Sequence, residues 1–260
     1  LKTALNAVIV ISVITRISMK KLTSLLIFVG LAINVSGQEQ AKNLKEANTL
    51  SLKQRLHDGE NLKNVRVPTD ASREEVHALI KEKTPDMLYL DAHHRPCTEW
   101  DISRICKAAQ ELDTPVLMRI DHADQAGMIS SMLDLGLLGI KVPTVEDEET
   151  VQKIINGFYF PPIGKRSLGG SNNYGKAIAK KEGKPYYQWW NENAILGCKL
   201  ETVKGVLNVR YLAKPGIDFF DFGGQDLRHD IMLQRHPGFE SIADCHEFVE
   251  MALQGKDVHF

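Results

Sequence analysis

Short apolar segments recur along the chain from residue 64 onwards, and longer stretches of mixed polarity separate them. These segments lack the alternation of a strand with one wet face, which indicates strands buried on both faces of a parallel sheet. Amphipathic stretches between them complete the rhythm of βα units, which close most naturally into a (β/α)8 barrel of the α/β class. The predicted strands are Asn64–Val67, Met87–Asp91, Val116–Ile120, Gly139–Val142, Ile195–Leu200 and Phe219–Phe222.

Helix signals lie in the mixed stretches. The predicted helix Ser72–Lys83 opens with Ser72 and Glu75 at capping-box spacing, and Val145–Asn156 opens with acidic residues that suit a helix N-terminus. Further helices are predicted over Ala41–His57 and Asp244–Leu253, and residues 257–260 resemble the opening of another strand. The segment Gly157–Tyr187 is rich in Gly, Pro, Asn and Lys, so we interpret it as a long functional loop.

The amino terminus has the layout of a secretory signal. Met19-Lys20-Lys21 precedes an apolar run over Leu22–Ile33, and small residues around Gly37 offer a cleavage point. We therefore predict that residues 1–37 are upstream sequence plus a signal peptide starting at Met19, and that residues 38–260 form one exported, periplasmic barrel domain. The alternative is an uncleaved membrane anchor, with Ala4–Ile14 as a second apolar run.

Composition narrows the function. With 43% hydrophobic and 25% charged residues, a chain of 260 residues can bury one sizeable core. The net charge of -1 provides no basic field for nucleic acid, so a small ligand is expected instead. Four cysteines lie far apart without a CxxC pair, which indicates buried apolar side chains rather than a zinc cluster or a disulfide framework.

Charged side chains follow several of the predicted strands, where a barrel gathers its active site. They are Asp91, His93 and His94 after the second strand, Arg119 and Asp121 at the third, Glu201 after the fifth and Asp226 after the sixth. A single strand-end carboxylate more often caps a helix than binds a metal, but here several segments supply charge to one rim. Two carboxylates from separate strands suit Mg²⁺ or Mn²⁺ and leave room for water and substrate oxygens.

This arrangement suits chemistry next to a keto group. A divalent cation chelated by a 2-oxo acid would stabilise the enolate that forms when the adjacent carbon–carbon bond breaks. Arg119 could donate to the developing enolate oxygen, and His94 is the candidate base because imidazole titrates near neutral pH. The predicted substrate is therefore a small 2-oxo acid, with an aldehyde as its partner.

Six motifs of the chain resemble the HpcH/HpaI aldolase and citrate lyase family, specifically its metal-dependent 4-hydroxy-2-oxo-acid aldolases. Their order and spacing suit that family through most of the chain after residue 37. The motifs are residues 90–96 (LDAHHRP), 116–119 (VLMR), 133–136 with 139–143 (LDLG and GIKVP), 159–167 (YFPPIGKRS), 200–202 (LET) and 222–227 (FGGQDL).

The resemblance implies a TIM barrel of the phosphoenolpyruvate/pyruvate-binding type and a lyase that forms or cleaves a carbon–carbon bond. It implies Mg²⁺, Mn²⁺ or Co²⁺ as cofactor and a homo-oligomer, a hexamer in relatives. The residue roles that it implies are Glu201 and Asp226 as metal ligands, Arg119 on the keto oxygen of pyruvate, His94 with Asp91 and Asp134 as the acid–base system around a water at the metal, and Gly223, Gly224 and Gln225 as amide donors to the substrate carboxylate.

Several positions depart from the family pattern. His93 stands where a glutamate is usual, and Lys199 stands where a glutamine is frequent. Lys199 could bind the substrate carboxylate, or it could pair with Glu201 and weaken metal binding. The turn before Asp226 reads Gly-Gly-Gln instead of Gly-Pro-Ala, and Arg228 follows it. The extra cations at Lys199 and Arg228 suggest a more anionic substrate.

Two other functions stay open at this point. One is a lyase related to citrate lyase that acts on acyl-CoA thioesters, although coenzyme A is cytoplasmic and the chain carries an export signal. The other is an exported barrel that binds a 2-oxo acid without turnover. The predicted final helix is the last before the chain ends, whereas relatives continue with a further strand and helix; this suggests a fragment truncated at the last βα unit and leaves the assembly open.

Overall fold

The computed structural model describes residues 50–260, and the predicted signal peptide and the first part of the predicted helix Ala41–His57 lie outside them. Six parallel strands form one sheet in sequence order: β1 Asn64–Val67, β2 Met87–Asp91, β3 Val116–Arg119, β4 Gly139–Val142, β5 Ile195–Leu200 and β6 Phe219–Phe222. All six predicted strands are confirmed, and β3 ends one residue before the predicted Ile120. The sheet curls as part of a (β/α)8-type barrel, which confirms the predicted fold class.

Helices follow the strands along the chain. They are α1 Leu52–His57, α2 Arg73–Lys83, α3 Glu99–Gln110, α4 Ile129–Leu133, α5 Glu148–Phe158, α6 Lys176–Lys181, α7 Tyr186–Asn193, α8 Val203–Leu212, α9 Gly224–Gln234 and α10 Ile242–Ala252, with a 3-10 helix over Ala123–Met128. Within residues 50–260, none of them is both long and apolar enough to cross a membrane.

Local capping sets where the helices begin. The predicted capping box of Ser72 and Glu75 is present at the start of α2. Helix α5 begins three residues later than predicted because Asp147 caps it, its side chain accepting from the amide of Thr150. Residues 257–260 contribute a single parallel bridge, between His259 and Phe219 of β6.

The segment after α5 is more regular than predicted. Helix α6 lies inside the stretch that the sequence predicts to be one loop, so that part of the prediction is wrong. Gly175, at a φ of 82°, turns the chain into α6, and a side chain there would collide with the ring of Trp189. The Lys-Ala-rich sequence that follows favours a helix once the turn has been made.

The inside of the sheet has an apolar layer and a polar layer. Met87, Leu117 and Ile195 form the apolar layer near the N-terminal ends of the strands, packed with Leu56 of α1. Residues two or four positions further along the same strands are charged. Because register partners in a parallel sheet point to the same face, Asp91 of β2 and its partner in β3, Arg119, lie side by side. The polar layer therefore lies at the strand ends where a barrel builds its site.

Candidate active site

An ion pair between β2 and β3 forms the centre of the candidate site. Arg119 Nε and Nη2 donate to the two carboxylate oxygens of Asp91, each at 2.8 Å, and both side chains are buried. This fork-to-fork geometry fixes the plane of the guanidinium. The remaining terminal nitrogen, Nη1, lies 3.9 Å from Oε1 of Glu201. The sequence predicted Asp91 as part of an acid–base system, but both of its oxygens are engaged in holding Arg119.

A second arginine reaches the same carboxylate. Arg66, in β1, contacts Oδ2 of Asp91 with Nη2, and half of the Arg66 side chain is exposed. Arg66 was not among the residues predicted from the sequence, because it precedes the end of the strand. The available signal was the alternation of β1, in which Arg66 faces the same side as the charged ends of β2 and β3.

Glu201 is buried and only half of its carboxylate is satisfied. Oε2 accepts from the amide of Thr144 at 3.0 Å and from its hydroxyl at 2.6 Å, whereas Oε1 is buried without a hydrogen-bond partner among the described residues. Thr144 follows β4 and has a φ of 48°, which a β-branched residue rarely adopts. Thr144 was not predicted as a site residue, although β4, like β1, is a strand for which no candidate had been proposed.

A glycine keeps space open beside the free oxygen. A Cβ on Gly223 would lie 2.2 Å from Oε1 of Glu201. The amide of Gly223 donates to the carbonyl of Leu200 at 3.1 Å, so its predicted role as a donor to substrate stays a prediction that this contact does not support. The other two amides predicted to donate to the substrate carboxylate, those of Gly224 and Gln225, lie at the start of α9.

Asp226 and His94 are exposed on the same rim. Asp226 lies in the first turn of α9. Partial burial and the positive charges of His93 and Arg119 lower the pKa of His94, while Asp226 and Glu201 oppose that shift. These four groups therefore lie close enough to shift the pKa of one imidazole.

His93 faces the loop after β3. Its Nδ1 contacts the carbonyl oxygen of Asp121, and its ring meets that of His94 edge to face, with 4.2 Å between centroids. A cavity of about 520 Å³ opens beside both histidines, with Met118 and Ile120 among its apolar walls. Space for a small organic group therefore adjoins the candidate base.

The residues present are compatible with a divalent cation. Within the described part of the chain, no cluster of three or more His, Cys, Asp or Glu side chains is arranged to hold a metal. The unpartnered Oε1 of Glu201 nevertheless has the chemistry of a cation ligand, since a buried carboxylate oxygen without a partner carries a large desolvation cost. With Asp226 as a second oxygen donor, such a cation would take its other ligands from substrate or water.

Two predicted site residues have other partners. Lys199 is buried, and its ammonium donates to Asp221 at 3.3 Å and to the carbonyl of Phe222 at 2.9 Å. It therefore pairs with Asp221 rather than with Glu201, and two of its three N–H donors are engaged within the protein. Arg228 lines a separate cavity of about 710 Å³ together with Arg235.

Asp134 lies in another cluster. Its carboxylate accepts from Nη2 of Arg166 at 2.7 Å. The guanidinium of Arg166 is buried and packs against the rings of Phe160 and Trp190. In the described part of the chain, no hydrogen bond or ion pair joins Asp134 to His94 or Asp91. The acid–base role implied for Asp134 thus stays a prediction that this contact does not support.

Comparisons with a family model and with curated proteins point to the same group of proteins as the sequence motifs. Residues 64–259 match the family model of the HpcH/HpaI aldolase/citrate lyase family. The chain is 31% identical over 147 residues to a 4-hydroxy-2-oxovalerate aldolase of Novosphingobium aromaticivorans, covering 55% of this chain and 53% of that protein. It is 27% identical over 143 residues to a 2-dehydro-3,6-dideoxy-6-sulfogluconate aldolase of Pseudomonas putida, covering 55% and 54%. The chain thus spans about half the length of the curated relatives it matches.

Solved structures extend the match. An HpcH/HpaI aldolase from Desulfitobacterium hafniense superimposes with a TM-score of 0.65 at 25% identity, over 81% of this chain and 80% of that one. Macrophomate synthase superimposes with a TM-score of 0.64 at 24% identity, over 80% and 74%, which bears on the fold alone. The motifs, the parallel sheet and the family model agree, and the chain belongs to the HpcH/HpaI aldolase/citrate lyase family.

Proposed function

We propose that this protein is a divalent-metal-dependent carbon–carbon lyase that cleaves or forms the bond between C3 and C4 of a 4-hydroxy-2-oxo acid through a pyruvate enolate. The observation that carries the proposal is the juxtaposition of Arg119, locked by Asp91, with the unpartnered oxygen of Glu201. The aldolases among the relatives support the reaction class.

Glu201 and Asp226 would hold the cation. When bound, Mg²⁺, Mn²⁺ or Co²⁺ would supply Lewis acidity to the keto oxygen of the substrate. Arg119 would direct its remaining N–H groups at the same oxygen, since Nε and Nη2 are committed to Asp91. A donor held in advance where charge develops does not have to reorganise during the reaction.

His94 would move the proton. In the cleavage direction it accepts the proton of the C4 hydroxyl, and C4 becomes the carbonyl carbon of the free aldehyde as the C3–C4 bond breaks. The electron pair of that bond forms the C2–C3 double bond, and the keto π pair moves to the oxygen on C2, which leaves the enolate of pyruvate. Protonation of the enolate at C3 then yields pyruvate. A lowered pKa keeps the His94 imidazole neutral near pH 7, which is the form that a base requires. Asp91 would hold Arg119 in place and carry no proton.

The test is release of pyruvate from a panel of 4-hydroxy-2-oxo acids by the full chain, with Mg²⁺, Mn²⁺ and Co²⁺ in turn. We expect cleavage that requires the metal and that Glu201→Gln and Asp226→Asn each abolish. Glu148→Gln removes a surface carboxylate that pairs with Lys214, and this control should cleave at the wild-type rate. Cleavage that survives chelation, or that persists in either site variant, would contradict the proposal. Binding of a 2-oxo acid without turnover would favour a binding barrel.

A further inference from the structure

Arg66 is a rim cation whose environment differs from that of the lysines inside the sheet. Lys141 and Lys199 are largely buried and both pair with Asp221. Arg66 keeps 52% of its side chain exposed, and in the described residues Asp91 is the carboxylate within ion-pair distance of it. A half-exposed guanidinium at the strand ends of a barrel lies where ligands are bound.

The contact with Asp91 does not account for Arg66. Arg119 already occupies both oxygens of that carboxylate with two parallel hydrogen bonds. Asp91 therefore has its counter-ion without Arg66, which adds a second cation to one buried anion. An arginine carries five N–H donors, and Arg66 contacts Asp91 through Nη2 while half of its side chain stays exposed, so donors remain for a ligand.

We propose that Arg66 determines substrate specificity by binding a carboxylate at the far end of the 2-oxo acid. The inference rests on the proposed function, which puts the keto-acid end between Arg119 and Glu201. Arg66 and Arg119 each reach the same oxygen of Asp91, Oδ2, through Nη2, so their guanidiniums are neighbours at a single carboxylate. Two neighbouring guanidiniums can be met by the two ends of one small dicarboxylic molecule.

The other cations suggested by the sequence do not serve this purpose. Lys199 is engaged by Asp221 and Phe222, and Arg228 lines a different cavity. Arginine also suits the task better than lysine, because its fork matches the two oxygens of a carboxylate. The anionic substrate predicted from Lys199 and Arg228 thus gains a different binding residue.

Calorimetric titration with two ligands of equal chain length tests the assignment without turnover. One ligand is 2-oxoadipate, with a distal carboxylate, and the other is 2-oxohexanoate, with a methyl group there, both in the presence of Mg²⁺. The wild type should prefer 2-oxoadipate. Arg66→Gln should weaken binding of 2-oxoadipate by about 10–100-fold, the loss expected for a charged hydrogen bond, and change binding of 2-oxohexanoate by less than about threefold.

Two variants serve as controls. Arg66→Lys keeps the charge without the fork and should fall between wild type and Arg66→Gln for 2-oxoadipate. Arg73→Gln removes an arginine of similar exposure, 55%, that pairs with Glu111 on the surface, and it should bind both ligands as the wild type does. Unchanged binding of 2-oxohexanoate by Arg66→Gln also reports that the variant is folded.

The outcomes separate this proposal from the proposed function. Equal losses for both ligands would overturn it, because Arg66 would then act through Asp91 on the keto-acid end. No preference for 2-oxoadipate in the wild type, or an unchanged preference in Arg66→Gln, would overturn it as well. If the binding results overturn the role of Arg66 in one of these two ways but the wild type still cleaves neutral-tailed acids, the proposed function stands without Arg66. If Arg66→Gln loses the preference for 2-oxoadipate but the wild type cleaves none of the acids tested, the role of Arg66 in binding stands and the proposed function is contradicted.

Discussion

Two buried carboxylates, one at each end of the sheet, differ in how completely their oxygens are hydrogen-bonded. Asp218, before β6, accepts from Lys53, from the amide of Leu196 and from Tyr159, and it also contacts Nε2 of His57. Both of its oxygens are fully used. Glu201 is equally buried, yet Oε1 lacks a hydrogen-bond partner in the part of the chain that the structure describes, and Nη1 of Arg119 lies 3.9 Å from it.

The difference separates a carboxylate that stabilises the fold from one available to a ligand. Satisfying a buried charge offsets its desolvation cost, so the network of Asp218 contributes to stability. An Oε1 of Glu201 without a hydrogen bond lowers the stability of the fold, and a cation that binds there would offset this loss. The comparison agrees with the usual division of a barrel into a stabilising N-terminal face and an active C-terminal face.

The largest expected effect is on stability at Asp218. Asp218→Ala should lower the free energy of unfolding by about 3–5 kcal/mol, because it strands the charge of Lys53 and the amide of Leu196. Glu201→Gln should change it by less than about 1 kcal/mol in the absence of metal, since Oε1 makes no bond to lose. Thermal unfolding of both variants measures this. Equal destabilisation would mean that the two ends do not differ.

The next effect is on rate at Arg119. Arg119→Lys should lower the rate of pyruvate release by about 10²–10³-fold, because an ammonium cannot hold both oxygens of Asp91 and still reach the substrate oxygen. Arg55→Lys is the matched control, because Arg55 also donates from Nε to a carboxylate, that of Glu60, away from the rim. Steady-state kinetics that show similar losses in the two variants would remove Arg119 from the site.

A smaller effect is expected at Gly223, on metal affinity. Gly223→Ala puts a methyl group 2.2 Å from Oε1 of Glu201, so the carboxylate must shift, and we expect metal affinity to fall about 10–100-fold. The added Cβ of Gly127→Ala meets nothing within 4 Å, and this variant should bind metal normally. Titration of both proteins with Mn²⁺ checks this, and normal affinity in Gly223→Ala would move the cation elsewhere.

The smallest effect concerns pH at the N-terminal face. Hydrogen bonding to Asp218, and next to Asp257, raises the pKa of His57 above its ordinary 6.5 despite burial. A raised pKa in the folded state gives stability that is fully present below pH 6.5 and is lost as the pH rises through the higher folded value. Unfolding measured between pH 5 and about pH 9 should show this loss in the wild type and a weaker one in His57→Gln. Identical profiles would contradict the assignment.

Much of the fold follows from local patterns. The six strands were predicted within a residue of their observed ends because a short run buried on both faces leaves few other structures for it. The capping box at Ser72 is equally local. The prediction of one continuous loop after α5 was wrong in part because the turn at Gly175 packs against the ring of Trp189. Although Trp189 is only 14 residues away, no pattern in the sequence reveals that contact.

The site was predicted only as a set of residues. The order of strands in a parallel barrel brings their ends to one rim, so Asp91, Arg119 and Glu201 could be grouped before any coordinates. Which group pairs with which depends on register and side-chain direction across strands. Those contacts made Asp91 the partner of Arg119, Lys199 the partner of Asp221, and Asp134 the partner of Arg166.

The sequence by itself determined the parallel α/β architecture, the family and the rim on which its charges lie. Periodicity and strand-end position are properties of neighbours along the chain. Only the tertiary structure decided which polar groups are saturated and which are accessible: Oε1 of Glu201, without a hydrogen-bond partner next to Gly223, and the half-exposed side chain of Arg66. The physical reason is that hydrogen-bond satisfaction depends on angles and distances of about 3 Å between residues far apart in sequence.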